Sequence, residues 1–451
     1  MRFRHLPLLL ASAGALTLSG CASYHAAPLT DPARVLAMPD KAIVSADAAT
    51  IERPFLTPQP IDWTAPLTPN ALAVIAVLEN PDLKAQRAKL GVAEAQAFAA
   101  RLLPDPQIQA NYDTLLSGPD PFDAFGGQLA LDLNQLLTAE ATRQNGEASK
   151  RQVRLDLAWA EWQTAGQVRL QAVRIRALAD QLGLARQSDA SGETLFAQAS
   201  RAAGRGDIAA ADLDARRQTA LDAADKARQL EALLATAQGE LNHLLGLPPE
   251  TVLKLAPTPE PVVPPTAPAL VVQAIDRRLD LQALRAGYDA AEADLHKAIL
   301  EQFPNLSLTL AGARDTSDNR TLGPAVGFTL PLWNRNRGGI AITTATRAQL
   351  KAEYEARLFQ TRAEIAAAVT ALESVRRQKA ALIAQIPAIR RFADTSAAAA
   401  RRGDLAPATA ATALQALRDR ELTLSQLDQQ IAEQTIALEL LSGGPSEGWT
   451  R

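Results

Sequence analysis

The chain of 451 residues has one cysteine, two methionines and four histidines. A single thiol rules out a disulfide framework. His5, His25, His243 and His296 are scattered, with no Cys/His pair and no methionine cluster, so no metal-ligand spacing exists. Lysine and arginine do not exceed aspartate and glutamate, and the formal charge is -3. That balance gives no basic surface for nucleic acid. No phosphate loop, dinucleotide fingerprint or nucleophile elbow occurs, so neither an enzymatic constellation nor a cofactor is indicated. No apolar run reaches the roughly 18 residues of a spanning helix. A membrane β-barrel stays open, because its strands carry a far weaker signal. Aromatic residues are scarce at 4%, whereas Ala, Leu, Gln, Arg and Glu fill long stretches and favour helix.

The N-terminus carries the sharpest local pattern. Arg2, Arg4 and His5 precede a short apolar run from Leu6 to Leu18, the length of a signal peptide. Leu18-Ser19-Gly20-Cys21 then resembles a bacterial lipobox, with Cys21 as the acylated first residue of the mature protein. Ala22 after it points to sorting to the outer membrane. Residues 1–20 are thus a signal peptide. Residues 21–64, rich in Pro, Ala and Asp, read as a lipidated extended arm.

The remainder contains itself twice. Residues 82–106 and 280–304 share 11 of 25 positions at an offset of 198, among them Asp82/Asp280, Arg87/Arg285, Glu94/Glu292 and Pro106/Pro304. Arg205-Gly206-Asp207-Ile208 returns as Arg402-Gly403-Asp404-Leu405 at an offset of 197, as do Leu241, Leu244 and Gly246 in Leu438, Leu441 and Gly443. Matching prolines, glycines and charges mark duplication. The repeats are 65–250 and 268–443, joined by a Pro-rich linker over 251–267 and followed by a tail over 444–451.

Each repeat has one order: helix, two strands, a very long helix, a tip, a returning helix. The first helices are expected over 70–103 and 268–302, closed by Pro104, Pro106 and Pro304. Strict alternation marks strands at 107–113, 128–133, 305–310 and 325–330, with loops over 114–126 and 312–324. Alternation sets one face against an apolar phase and the other against water. No proline occurs between Pro121 and Pro248. The long helices, from Leu136 to Ala203 and from Asn334 to Arg402, would each reach roughly 100 Å. Helices of that length require partners along their flanks. Gly146, Gly166 and Gly183 should soften the first, and Pro387 should kink the second.

Four strands cannot close a barrel, and an open sheet in lipid would leave two unpaired edges. Several copies of the chain would close it. The expected fold class is therefore an α+β membrane protein, internally duplicated, with long coiled-coil helices in an α-barrel continuing a β-barrel. The helix order, the duplicated Asp-Leu-x-Ala-x-Arg segment and the run Gly327-Phe-Thr-Leu-Pro-Leu-Trp-Asn-Arg-Asn-Arg-Gly338 resemble the TolC-type outer-membrane efflux family. The lipobox and Pro331–Gly338 resemble its lipoprotein branch, which serves pumps of the resistance-nodulation-division class. The resemblance spans about 65–443. It implies a homotrimer with a 12-stranded barrel, a periplasmic adaptor and an inner-membrane efflux pump as partners, and outer-membrane lipid around the barrel. Leu279 departs from the proline many relatives carry there. Other readings are a type I secretion channel, a periplasmic coiled-coil scaffold, or an envelope enzyme, for which no catalytic residues present themselves.

Ile108, Tyr112, Leu129, Leu131, Leu306, Leu308, Leu310, Val326, Phe328 and Leu330 are the expected lipid-facing strand residues. Tyr112, Phe122, Phe125 and Trp333 suit an interfacial girdle, and Trp159, Trp162 and Phe359 suit packing between helices. Arg205–Ile208 and Arg402–Leu405 are expected at the adaptor-docking, gating tip. There Gly206 and Gly403 would end one helix, and Asp207 and Asp404 would cap the next. An adhesion tripeptide at Arg205–Asp207 is the weaker alternative. Asp207, Asp212, Asp214 and Asp404 would form either acidic rings in a pore or a solvated face.

Overall fold

A computed structural model describes residues 23–257, 262–446 and 449. The proposed lipidation site Cys21 lies outside them. Residues up to Met38 form a unit of their own. It carries a short helix α1, Pro32–Val35, whose first turn is capped by Asp31 accepting from the Ala33 amide at 3.0 Å.

From Pro39 the chain forms the second unit. The arm is not wholly extended. Asp40 accepts from the Ala42 amide at 2.9 Å and starts helix α2, Lys41–Ala49, which buries Val44 and Ala48. The expected first helix of each repeat is two helices. Pro81 cannot donate and holds Asn80 extended, so α3, Pro69–Glu79, ends before α4, Pro81–Ala99. Arg278 breaks the second copy into α7, Ala267–Arg277, and α8, Leu279–Leu300.

Strands β1, Gln107–Asp113, β2, Ala124–Asp132, β3, Asn305–Arg314, and β4, Arg320–Thr329, form one antiparallel sheet in chain order. β3 and β4 extend further than their alternation suggested, because Gly312 and Gly323 interrupt the hydrophobic pattern without interrupting the pairing. The loop between them shrinks to five residues. Asp315 organises it by accepting from the amides of Ser317 at 3.0 Å and Asn319 at 2.8 Å.

The long helices are α5, Leu133–Gly204, and α9, Arg337–Arg402. Their 72 and 66 residues span about 110 and 100 Å. The returning helices are α6, Ala210–Leu244, and α10, Pro407–Ser442. Of the glycines expected to soften α5, two serve close packing: a Cβ on Gly146 would stand 2.9 Å from Ala100 Cβ and one on Gly166 2.4 Å from Leu440, whereas Gly183 faces open space. Pro387 is contained within α9, which runs unbroken.

The repeats share a knuckle where the first helix breaks. Gly246, with φ +64°, meets the Glu79 carbonyl, and Gly443, with φ +74°, meets the backbone of Arg277 and Arg278. A Cβ at either position would strike backbone within 3 Å, and the left-handed φ itself favours glycine. Asn80 Nδ2 donates to the Leu244 carbonyl at 3.0 Å, and Arg278 Nη1 donates to the Leu441 carbonyl at 3.3 Å. Each side chain thereby satisfies one of the last carbonyls of a returning helix.

In the second knuckle the charge must also be answered. Arg278 is 1% exposed. It pairs with Asp280 at 2.7 Å and lies 5.0 Å from the Trp159 ring centre. Arg357 reaches the same carboxylate at 3.0 Å. Burial pushes the Asp280 carboxyl up, but the two guanidiniums outweigh it and hold the group below its ordinary value. Its contribution to stability is therefore full at neutral pH and is lost as pH falls through the lowered folded value, below about 4. Asp280→Asn leaves a buried guanidinium short of a partner and should cost about 3–5 kcal/mol at pH 7. Thermal unfolding of both proteins between pH 7 and pH 3 tests this. The gap between them should narrow toward the acid end, and a gap independent of pH would contradict it.

Candidate functional site

Paired residues of an antiparallel sheet point to the same face, so the register assigns faces one residue at a time. Ile108 pairs with Leu129, Leu129 with Leu310, and Leu310 with Pro324. Leu131 pairs with Leu308, Leu308 with Val326, Leu306 with Phe328, and Tyr112 with Phe125. These side chains share one face, and Ile108 at 82% and Phe328 at 60% exposure show how little covers it. Leu330, expected among them, falls one residue beyond β4 and outside the ladder. The opposite face pairs Gln109 with Gln128, Ala130 with Thr309, Asp132 with Ser307 and Asn305 with Thr329. One face is hydrocarbon-like and the other is amide, hydroxyl and carboxylate. β1 and β4 are the outermost strands and have no further strand beside them among the described residues.

The two hairpin tips are joined. Thr316 donates to Asp120 at 2.5 Å, and the Phe122 amide donates to the Thr316 carbonyl at 3.3 Å. Arg314 stacks 4.4 Å from the Phe122 ring centre. Tyr112, Phe122 and Phe125 thus gather at the loop end of the strands. Trp333, 86% exposed, stands at the helix end.

The strand-to-helix passage differs between repeats. β2 runs directly into α5, with Asp132 accepting from the Asn134 amide at 2.9 Å. β4 is followed by the Pro331–Asn336 segment, in which Arg335 and Asn336 are left-handed. Asn336 Nδ2 donates to the Ala298 carbonyl at 2.9 Å and pins the start of α9 to the end of α8. The Asn-Arg-Asn-Arg-Gly run is therefore a backbone reversal, which asparagine tolerates better than most residues.

At the far end of the long helices the two turns match. Gly206 has φ +79° and Gly403 φ +84°. The Asp207 amide donates to the Ala202 carbonyl at 2.9 Å, and the Asp404 amide to the Ala399 carbonyl at 2.9 Å. This closes each helix in the manner of a Schellman turn. The aspartates do not cap the next helices. Ala209 and Ala406 occupy those positions without a side-chain cap. Ile208 and Leu405 intervene, and each carboxylate is taken by its own arginine, Arg205 or Arg402, at 2.8 Å. The turns present arginine–aspartate pairs, not bare carboxylates. Among the described residues no cluster of three or more His, Cys, Asp or Glu side chains is placed to hold a metal ion.

A two-faced sheet is carried on paired helices of about 100 Å, built twice over. Residues 270–444 match the family described as outer membrane efflux protein. The chain is 24% identical over 321 residues to the cobalt-zinc-cadmium resistance protein CzcC of Cupriavidus metallidurans, covering 69% of this chain and 74% of that protein. Its fold matches solved CusC with a TM-score of 0.66 at 19% identity, over 88% of this chain and 99% of that one. The open MtrE outer membrane channel of Neisseria gonorrhoeae matches with a TM-score of 0.66 at 16% identity, over 83% and 88%.

The faces predict unlike outcomes for adjacent residues. Arg on the apolar face near mid-bilayer should cost about 2–4 kcal/mol, and Arg on the polar face far less. Leu308→Arg should sharply reduce heat-resistant oligomer recovered from outer membranes, whereas Thr309→Arg should assemble near the parent level. Equal recovery would contradict the assignment of faces.

Proposed function

We propose that the protein is the exit duct of a tripartite efflux system, passing metal ions or other small solutes passively across the outer membrane. The observation that carries this is the sheet with one apolar face, one polar face and two open edges. Three copies closing edge to edge make a 12-stranded barrel with the apolar face toward lipid and the polar face toward water. The paired long helices of three copies continue the duct into the periplasm as an α-barrel. Its partners are a periplasmic adaptor and an inner-membrane pump, and likeness to CzcC supports a metal ion as cargo.

In this reading Ile108, Tyr112, Leu129, Leu131, Leu306, Leu308, Leu310, Val326 and Phe328 meet lipid, and acyl chains on Cys21 supply a second hold on the membrane. Intact mass of the mature protein, expected to begin at an acylated Cys21, tests the anchor. An unmodified mature protein starting elsewhere removes it.

The turns at Arg205–Ile208 and Arg402–Leu405 dock the adaptor, and six of them in a trimer ring the closed end. Neighbouring helices must part there for the duct to open, so small changes in contact shift the closed–open balance. Photo-crosslinkers at Ile208 and Leu405, in cells containing the adaptor and pump, should capture the adaptor. Crosslinkers at Ile108 and Leu310 should not. Capture from the strands and not from the turns would invert the orientation and overturn the reading.

A further inference from the structure

The apolar face of the sheet carries charge at one place only. The register that aligns Leu310 with Pro324 continues toward the hairpin tips and sets Arg314 opposite both Arg320 and Phe125. Tyr112 joins the same row through its pairing with Phe125. Every other side chain on that face of the four strands is uncharged.

Like charges directly opposite each other in an antiparallel pair are destabilising, and a guanidinium facing hydrocarbon costs more still. The row answers these costs only in part. Asp318, held at φ +68° in the turn, lies 2.7 Å from Arg314 and 3.7 Å from Arg320. The other carboxylates of the tips are engaged within the loops. Asp315 accepts from the Ser317 and Asn319 amides, Asp120 from Thr316, and Asp123 from Tyr112 and the Leu115 amide. Two guanidiniums and one carboxylate leave one positive charge in excess on the row.

The guanidiniums are positioned more than they are satisfied. Arg314 is held over the Phe122 ring at 4.4 Å. Its contact with Asp318 lies too far off the N–H axis to be a hydrogen bond, so its buried Nε has no hydrogen-bond partner among the described residues. The Arg320 side chain is 77% exposed. At the aromatic rim of such a face, long side chains reach headgroup height.

We infer that Arg314 and Arg320 bind the phosphate of an outer-leaflet lipid headgroup. This rests on the reading of the sheet as part of a barrel whose apolar face meets lipid and whose helices enter the periplasm, which sets the hairpin tips at the outer leaflet. Side chains directly opposite on paired strands start about 5 Å apart, so both guanidiniums reach one phosphate. The planar fork of each matches two phosphate oxygens at once. The acyl chains then lie along the Leu310–Pro324 and Leu308–Val326 rows of the same face.

Native mass spectrometry of the purified full-length protein in a neutral detergent tests this with lipid A carrying both its phosphates. The parent oligomer should bind that lipid saturably, and should bind lipid A stripped of phosphate about tenfold more weakly. Arg314→Gln combined with Arg320→Gln should weaken binding of the phosphorylated lipid about tenfold, with the oligomer intact in the same spectra. If the double variant does not assemble, Arg320→Gln alone, at an exposed side chain, should assemble and still weaken binding severalfold. Equal binding of the two lipids, or parent-like binding by the assembled glutamine variants, overturns the site. Inorganic phosphate that binds as tightly as the lipid assigns the arginines to a free anion and overturns the lipid assignment. A parent protein that is monomeric and absent from outer membranes overturns the barrel reading. An outer-membrane oligomer indifferent to phosphate overturns the site alone.

Discussion

Hydrocarbon offers a peptide group no hydrogen-bond partner. Each N–H and C=O left unpaired there costs several kcal/mol, and a four-stranded sheet with one apolar face has two edges lined with such groups. Everything else about this protein is consistent with escaping that cost. The sheet alternates so that lipid and water each meet a suitable face. In the proposed assembly a ring of copies pairs those edges with one another. There the helices continue the wall where lipid ends, because α-helices satisfy their backbone internally and need only side-chain neighbours.

Duplication has kept geometry more strictly than chemistry. At the knuckle the first repeat uses Asn80, a neutral side chain that caps α4 and holds Leu244. The second uses Arg278, which holds Leu441 but brings a charge into a buried place. Asp280, Arg357 and the Trp159 ring answer that charge. Burial of the first knuckle's ionic group falls elsewhere, on Glu161, which is 1% exposed and takes Arg53 of the arm at 2.5 Å and Arg87 of α4 at 2.8 Å. With Phe55 set edge-on against Trp162 at 5.1 Å, that pair binds the arm to the middle of α5. A buried carboxylate with two guanidiniums serves here as a fastening between segments far apart in sequence.

Much of this was legible in the residues because periodicity is a local property. Alternation at 107–113 and 305–310 gave strand position and face, and freedom from proline gave the long helices. Features that depend on tertiary contact were less visible. Asn80-Pro81 is a helix break in plain view, yet its match at Arg278 carries no proline and is extended where Gly443 packs against its backbone and its side chain reaches Leu441. β3 and β4 pair through Gly312 and Gly323, where side-chain pattern is silent. Asp207 and Asp404 stand where an N-cap is expected but do not serve as one, since each has an arginine two residues earlier that takes the carboxylate before the next helix can. Gly146 and Gly166 of α5 are a similar case: the contact a missing Cβ leaves room for is set by Ala100 and Leu440, not by α5 itself.

In the proposed assembly the polar face of the sheet lines a continuous aqueous path. Single-channel recording of the purified protein in a planar lipid bilayer tests it most directly. Discrete, ohmic conductance steps are expected, with a size and ion selectivity that change when Thr309 is replaced by Arg on the polar face. A purified, oligomeric protein that inserts into the bilayer but never conducts, or whose conductance ignores that change, would contradict it.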